Sequence, residues 1–352
     1  MRLLVGLLLL PALASGGIPS VALQSPRAAH TATLLPSGEV LVVGGCAVDS
    51  CELDERGATS ELFDPRTNRF RSGPRLAAPR DGHAAASLPG GDVLVLGGWT
   101  PDLTRAAERF DGSRFATTGA LATPRGAPTA TALRDGRVLV AGGSGTGNNA
   151  LASAELYEPR TGRFSPTGSM RSPRGAHVAV RLLDGRVLVI GGSSRGRVLA
   201  TTELYDPKRG RFTAGPRLRV ARHKHAAVVL RSGRVLVLGG SDERDFGGRL
   251  ASAELLDVRR PRALVAPSMS ARRFKLTDSA TLLADGTVLV AGGARELERY
   301  DPRRGRFVQA GQIDSALAFA TATRLRDGRV LVVGGYDDRL AISGRAWLVD
   351  LR

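Results

Sequence analysis

Short runs of apolar residues that end in a pair of glycines recur along the whole chain. The clearest copy is GRVLVVGG, from Gly328 to Gly335. These runs show no alternation of apolar and polar positions, which is typical of β-strands buried on both faces. Seven copies, spaced 42 to 53 residues apart, predict a repeat architecture. The glycine pairs are Gly44-Gly45, Gly97-Gly98, Gly142-Gly143, Gly191-Gly192, Gly239-Gly240, Gly292-Gly293 and Gly334-Gly335.

One repeat, from Pro173 to Phe212, shows the elements that surround each glycine pair. Two β-type runs flank Asp184-Gly185, a dipeptide that predicts a tight hairpin with a type I′ turn. After the glycine pair and a variable loop, further strands are predicted over 202–207 and 211–214. Each repeat therefore predicts a four-stranded antiparallel sheet, which must pack against copies of itself to bury its faces.

Aromatic residues recur in the third and fourth strands, as at Tyr205 and Phe212. The Gly-Gly doublet, the following tyrosine and the later large aromatic resemble the kelch repeat, with Phe where kelch units usually carry Trp. The resemblance implies an all-β fold, a seven-bladed β-propeller of four-stranded antiparallel blades around a central channel. We expect one such domain over 15–352.

The last repeat indicates how the ring closes. It reaches Arg352 within or just after its third strand, so no fourth strand follows. The segment from Gly17 to Leu23 stands in the register of a fourth strand. We therefore predict that this N-terminal segment completes the last blade, which would leave no exposed sheet edge.

The N-terminus has the pattern of an export signal. Arg2 precedes the apolar run from Leu3 to Leu10, and Ala12-Leu13-Ala14 matches a cleavage site. We predict a signal peptide over 1–14, cleavage after Ala14, and a secreted or periplasmic protein that is not an integral membrane protein. An uncleaved anchor is the alternative. In an oxidising compartment the two cysteines, Cys46 and Cys51, are expected to form a disulfide.

The chain is strongly basic, with a net charge of +17 and a pI near 11.3. A field of this size favours anionic partners. However, the arginines are scattered through every repeat without a basic block, so the charge is equally explained by composition. No specific nucleic-acid binding is predicted.

Arginine and histidine recur just before the first strand of most repeats, in a segment that we call the entry turn. An exposed arginine rim there would attract carboxylates, sulfates or phosphates. The alternative is that these side chains cap strand ends within each blade. The positions are Arg27, Arg80, Arg125, Arg174 and Arg222, with His30, His83, His177 and His225 three residues later. Lys275 and Leu317 occupy the arginine position of the last two repeats.

The loops that follow the glycine pairs differ most between repeats, and we expect them on the same face as the entry turns. Trp99, Phe246 and Tyr336 are the aromatic candidates for ligand contact there. Glutamates such as Glu203 recur in the third strands and are expected to be structural, paired with a neighbouring arginine. No metal site and no cofactor are predicted.

Two functions compete on this evidence. The first is a monomeric, non-catalytic module that binds a protein or an acidic glycan. The alternative is a sugar-acting enzyme of the kelch type, mutarotase-like or oxidase-like. An oxidase of the kind that resembles galactose oxidase would require a copper site of tyrosines, histidines and a crosslinked cysteine. That set is not recognisable, because Tyr157, Tyr205 and Tyr300 are repeat positions and both cysteines lie in one loop.

Overall fold

The computed structural model describes residues 18–49, 52–243 and 247–351. Almost all regular structure in these ranges is β-strand, and two short 3-10 helices, Glu55–Ala58 and Thr146–Asn148, lie in loops. In chain order the strands are β1 Ser20–Ala22, β2 Thr31–Leu34, β3 Val40–Val43, β4 Ser60–Asp64, β5 Arg69–Ser72, β6 Ala84–Ser87, β7 Val93–Leu96, β8 Ala107–Phe110, β9 Phe115–Thr117, β10 Thr129–Ala132, β11 Val138–Ala141, β12 Ala154–Glu158, β13 Arg163–Pro166, β14 Val178–Arg181, β15 Val187–Ile190, β16 Ser193–Ser194, β17 Arg197–Val198, β18 Thr202–Asp206, β19 Arg211–Ala214, β20 Ala226–Val229, β21 Val235–Leu238, β22 Ala253–Leu256, β23 Leu264–Ala266, β24 Ala280–Leu282, β25 Val288–Val290, β26 Glu296–Asp301, β27 Arg306–Gln312, β28 Thr321–Arg324, β29 Val330–Val333 and β30 Arg345–Val349.

The strands form seven four-stranded antiparallel sheets, the blades of a propeller. Blades one to six are β2–β5, β6–β9, β10–β13, β14-β15-β18-β19, β20–β23 and β24–β27, and β16-β17 is a separate hairpin. The first strands of successive blades are neighbours, from β2 to β6 and onward until β28 meets β2 again. The ring is therefore closed around a central channel, and the predicted fold is confirmed.

The seventh blade is completed by the N-terminal strand. Its order is β1-β30-β29-β28, with Ser20 opposite Trp347 and Ala22 opposite Arg345. The first and last described parts of the chain thus share one sheet, as the repeat register predicts. Gly17 itself lies outside the described residues.

The second strand of every blade is completely buried, as its uninterrupted apolar sequence predicts. The core lies between neighbouring blades. For example, Leu94 of the second blade packs in one cluster with Val140 and Tyr157 of the third. Burying each such side chain contributes about 1.5–3 kcal/mol, so adjacent blades stabilise one another.

The hairpin between the first two strands differs from the predicted type I′ turn. In the fourth blade the Leu182 N–H donates to the Arg186 carbonyl (2.8 Å), and the Gly185 N–H donates to the Leu182 carbonyl (3.0 Å). The loop therefore has three residues, and Asp184 does not have the positive φ that a type I′ turn requires, whereas Gly185 has φ of 93°. This is the pattern of a type I turn followed by a left-handed residue. The Asp-Gly signal located the hairpin correctly but gave the wrong loop length.

The glycine pair marks the place where one blade touches the next. The Gly192 N–H donates to the carbonyl of Arg222 in the following blade at 2.9 Å. Gly191 and Gly192 have φ of 57° and 93°. A Cβ on Gly191 would stand 2.3 Å from the Arg222 carbonyl oxygen. Both backbone conformation and space therefore require glycine at this junction.

Several expectations fall outside the described ranges. The predicted signal peptide over 1–14 does, so export stays a prediction. None of the helices in the described ranges has the length and hydrophobicity needed to cross a bilayer. Cys46 is fully buried in the first blade. Cys51 is not among the described residues, so the disulfide also stays a prediction.

We predict that Gly191→Ala destabilises the protein by several kcal/mol more than Gly196→Ala does. Both glycines have positive φ, so both substitutions cost about 1–2 kcal/mol of backbone strain. Only Gly191 is crowded, because nothing lies within 4 Å of a Cβ on Gly196. Chemical denaturation of the two variants would measure the difference, and equal losses would contradict the packing role of the doublet.

Candidate functional site

The entry-turn arginines are buried inside the blades. In the fourth blade, Arg174 donates through Nη1 to the carbonyls of Gly191 (2.7 Å) and Thr201 (3.0 Å). Its Nη2 donates to the carboxylate of Glu203 at 2.8 Å. The side chain is 0% exposed. One guanidinium thus connects the entry turn, the glycine pair and the third strand of the blade.

Glu203 completes this buried junction. Its carboxylate also accepts from the backbone N–H groups of Arg171 (2.8 Å) and Ser172 (3.0 Å). These residues belong to the segment that arrives from the preceding blade. The two side chains neutralise each other's charge, and both are hydrogen-bonded to the backbone. The pair can therefore be buried completely away from water.

The same Arg–Glu pair occurs in six blades, with N–O distances of 2.7 to 2.9 Å. The prediction of an exposed arginine rim is therefore wrong, because these arginines are at most 1% exposed and face their own blades. The alternative prediction, that the arginines cap strand ends within their own blades, agrees with the structure. The expected pairing of the third-strand glutamates with arginines is confirmed. The pairs are Arg27–Glu61, Arg80–Glu108, Arg125–Glu155, Arg174–Glu203, Arg222–Glu254 and Arg273–Glu298.

In the sixth blade, Lys275 does not occupy the arginine position to which the sequence pattern assigned it. The entry arginine of this blade is Arg273, and Lys275 lies two residues later. Arg273 precedes the hairpin glycine by 13 residues, whereas the other entry arginines precede theirs by 11. The two extra residues form a turn in which the Ser279 N–H donates to the Leu276 carbonyl at 2.9 Å. Asp278 lies in this turn, with φ of 61°.

The seventh blade has no Arg–Glu pair. Leu317 and Trp347 occupy the two positions, are each 1% exposed and belong to one apolar cluster. Both charges are thus replaced together by apolar side chains that fill the same junction. Such a joint replacement avoids leaving one buried charge without its partner.

The four histidines lie at the interfaces between blades. The Nε2 atoms of His30, His83 and His177 are hydrogen-bonded to hydroxyl groups of Thr321, Thr31 and Thr129 at 2.9 to 3.0 Å. For His225 the equivalent position of the preceding blade is Val178, and neither ring nitrogen of His225 has a hydrogen-bond partner in the described structure. The histidines therefore pack the interfaces, and three of them line the channel as well.

Burial keeps these imidazoles uncharged. It lowers the pKa of His83 and His177 to about 3, with the nearby entry arginines adding to the effect. The pKa of His30 and His225 is also lowered well below its ordinary value, chiefly by burial. In the described ranges, no group of three or more His, Cys, Asp or Glu side chains is placed to hold a metal ion.

The loop aromatics contribute mainly to packing. The indole ring of Trp99 lies against Gly82 and Gly126, where added Cβ atoms would be 2.4 and 2.2 Å from it. It is half-buried between the entry turns of blades two and three. Tyr336 is buried, and its hydroxyl accepts a hydrogen bond from Lys275 Nζ. Phe246 lies outside the described residues.

A ring of left-handed residues surrounds the mouth of the channel. In each blade the second residue after the entry arginine, or after Leu317, has φ between 44° and 58°. Backbone hydrogen bonds join several of these turns, as from the Lys224 N–H to the Ala176 carbonyl (2.9 Å). The seven residues are Ala29, Gly82, Ala127, Ala176, Lys224, Lys275 and Phe319. Their side chains are small in blades one to four and large in blades five to seven.

The large side chains form a lysine–aromatic cluster, which we define as Lys224, Phe274, Lys275, Phe319 and Tyr336. Lys275 Nζ lies 5.3, 5.5 and 5.1 Å from the ring centroids of Phe274, Phe319 and Tyr336. Lys224 Nζ lies 5.3 Å from the Phe274 ring. Such cation–π distances stabilise positive charge at the mouth of the channel.

The cluster borders a channel cavity of about 290 Å³. Lys224, Phe319 and Asp278 line it, together with threonines such as Thr31 and Thr129. Asp278 is exposed to the lumen of the channel, but it lies among the side chains that line the cavity. This partial burial raises its pKa.

The sequence reasoning missed this cluster, although a signal was present. Only three of the 50 basic residues are lysines, namely Lys208, Lys224 and Lys275. Two of the three stand in entry turns, where the other blades have alanine, glycine or phenylalanine. A rare residue type concentrated at one repeat position marks a departure from the scaffold.

Comparisons with known proteins agree with this architecture. A family model of the kelch motif matches residues 174–219, which include the Arg174–Glu203 pair. A fungal alcohol oxidase of the AA5 family, solved in complex with copper, has a TM-score of 0.76 and 16% identity, covering 96% of this chain and 76% of its own. At that identity the likeness shows the fold alone. None of the curated proteins compared with the sequence matches it. The kelch resemblance is confirmed in motif and fold.

Among the described residues, the side chains do not fit the set of tyrosines, histidines and a crosslinked cysteine that a copper oxidase resembling galactose oxidase would require. Three of the four interface histidines have Nε2 engaged by threonine, and they belong to different blades. The Tyr336 hydroxyl is bonded to Lys275, and Cys46 is buried in the first blade.

We predict that Arg174→Leu alone destabilises the protein by about 3–5 kcal/mol, because it leaves Glu203 buried without its partner. The double variant Arg174→Leu, Glu203→Trp copies the seventh blade and should recover much of that loss. Denaturant unfolding of wild type, both single variants and the double variant gives the coupling free energy. Additive losses would contradict the account of the pair as one unit.

We also predict that the free energy of unfolding falls as the pH drops from about 6.5 towards 3. In that window the unfolded histidines bind protons that the folded ones exclude, so folded stability is lost. Asp81 and Asp278 act in the opposite direction, because burial raises the pKa of both carboxyl groups, that of Asp81 to about 6, but they are two groups against four. His177→Gln keeps a hydrogen-bonding group for Thr129 without titrating. Its loss of stability between pH 7 and 4.5 should be smaller than that of wild type, and identical pH profiles would refute the assignment.

Proposed function

We propose that the protein is a non-catalytic binding module whose partner, a protein or a glycan bearing carboxylates, docks on the entry-turn face over blades five to seven. The observation that supports this proposal is the lysine–aromatic cluster at the mouth of the channel. It is the part of that face where side chains depart from the repeat and combine charge with large apolar surface.

The chemistry of the cluster favours an acidic ligand with some apolar surface. Lys224 is half-buried and lines the channel cavity, so its ammonium group offers a point charge to a carboxylate. The half-buried ring of Phe319 lies on the same cavity wall and offers a face for the C–H groups of a sugar or a side chain. Both side chains come from turns that are fixed by backbone hydrogen bonds, so little ordering is needed on binding.

The net charge alone does not locate the site. Six arginines are cancelled by six glutamates inside the blades, and the remaining arginines are spread over the surface. The overall field accelerates the approach of an anionic partner, while the local cluster selects where that partner binds.

The alternative function is a sugar-acting enzyme. Asp278, with its raised pKa, is a candidate acid–base group in the channel cavity. A mutarotase-like reaction would use an acid and a base on either side of a sugar ring. Measured turnover of a sugar that Asp278→Asn abolishes would replace the binding proposal with this one.

We predict that Lys224→Ala weakens binding of uronic-acid oligosaccharides or acidic peptides at least tenfold, which is about 1.4 kcal/mol. Lys208→Ala is the matched control, because it removes the same charge from an exposed turn at the opposite end of the fourth blade. Binding would be measured by calorimetry at two salt concentrations, with neutral sugars alongside. Equal effects of the two substitutions, or equal binding of neutral sugars, would overturn the proposed site.

A further inference from the structure

A basic groove lies between blades five and six, at the end of the propeller opposite the entry turns. It encloses a cavity of about 660 Å³ beside the hairpin turns. Five arginines and two aspartates line it: Arg231, Arg234, Arg299, Arg303, Arg304, Asp285 and Asp301. We call it the interblade groove.

The corresponding place between blades three and four is closed by two hydrogen-bonded contacts. Asp135 holds the guanidinium of Arg137 at 2.7 Å, and Arg137 donates to the Pro207 carbonyl of the next blade at 3.4 Å. The Tyr205 hydroxyl is bonded to Thr167 of the preceding blade at 2.8 Å.

The first of these contacts is also made between blades seven and one. There Asp327 holds Arg329, which donates to the Pro65 carbonyl at 2.7 Å. At these two junctions, an aspartate two residues before the arginine holds the guanidinium where it can reach the next blade. These two junctions show how this position can be closed within the same propeller.

Both contacts are missing between blades five and six. The aspartate is replaced by Ser232, which cannot hold the Arg234 guanidinium, and the threonine is replaced by Ala266. Within the described residues, neither the Arg234 guanidinium nor the Tyr300 hydroxyl has a hydrogen-bond partner, although both side chains line the groove. The Arg234 guanidinium and the Tyr300 hydroxyl, which are equivalent to groups that close the junction between blades three and four, therefore both face the groove.

The charges of the groove do not cancel. Asp285 lies 3.7 Å from Arg299, and Asp301 lies 3.8 Å from Arg304. Arg231 donates to the Ala284 carbonyl, which leaves its charge uncompensated. Together with Arg234 and Arg303, this gives an excess of three positive charges around one cavity.

We propose that the interblade groove binds an oxyanion, with the Arg234 guanidinium and the Tyr300 hydroxyl as the donors that contact it. A guanidinium presents paired N–H groups that match the oxygens of a carboxylate, sulfate or phosphate. The cavity has the size of a small-ligand site. The groove is separate from the lysine–aromatic cluster and lies on the other face, so this inference does not depend on the proposed function.

The decisive variant is Ser232→Asp, which restores the hairpin of the third blade. The new carboxylate should capture Arg234 as Asp135 captures Arg137, and direct it to the Pro302 carbonyl. Ser37→Asp is the matched control, because it adds the same charge to the equivalent exposed hairpin turn of the first blade. Thermal unfolding of both variants would verify that they fold.

The test is a calorimetric titration with sulfate and with citrate at constant ionic strength, followed by a sulfated disaccharide and its unsulfated parent. We expect wild type to bind sulfate and Ser232→Asp to bind it at least tenfold more weakly, with at most a twofold change in Ser37→Asp. Tyr300→Phe should weaken binding severalfold. Tighter binding of the sulfated disaccharide than of sulfate would identify a saccharide source, and the reverse order would identify a free anion.

Two results would overturn the proposal. One is the absence of sulfate and citrate binding by wild type in the millimolar range. The other is an equal loss in Ser232→Asp and Ser37→Asp, which would mean that the anion responds only to overall charge. Lys224→Ala should leave this binding unchanged, so failure here is distinguishable from failure of the proposed function.

Discussion

A buried guanidinium paired with a buried carboxylate stands at the junction of every blade except the seventh. The arginine contacts the carbonyls of the glycine pair and the third strand, while the glutamate accepts backbone N–H groups from the incoming chain. Because each charge has exchanged water for these partners, neither can be removed alone without a large cost. The pair therefore fixes the position of each entry turn. The entry turns together form the mouth of the channel.

This constraint explains why departures from the repeat are informative. The seventh blade shows that Leu317 and Trp347 can fill the same junction, so the fold requires a filled site rather than a charge. The extra turn around Asp278 enlarges the sixth blade on the channel face. Ser232 and Ala266 leave the interblade groove open on the other face. The last two departures each place a polar side chain beside a cavity, Asp278 on the channel face and Arg234 on the other face.

The sequence predicted the blade number, the closing strand and the buried second strands, because apolar runs and glycine pairs depend on local backbone geometry. It left open whether the entry arginines form an exposed rim or cap strand ends within each blade. It expected the recurring glutamates to pair with an arginine, but spacing alone did not identify Arg174 as the partner of Glu203. It placed Lys275 at the wrong repeat position because two inserted residues shift the count from the hairpin glycine. The lysine–aromatic cluster and the groove depend on side chains from neighbouring blades that meet in space, which the spacing within one repeat does not show.

The central claim is that the repeated arginines are internal scaffold and that binding groups lie where the repeat is broken. Labelling of the folded protein with an arginine-selective dicarbonyl, read by mass spectrometry, tests it most directly. The account predicts that the six paired arginines, Arg27, Arg80, Arg125, Arg174, Arg222 and Arg273, stay unmodified until the protein unfolds, while Arg234 reacts and is protected by sulfate. Labelling of the paired arginines at the rate of surface arginines would contradict it.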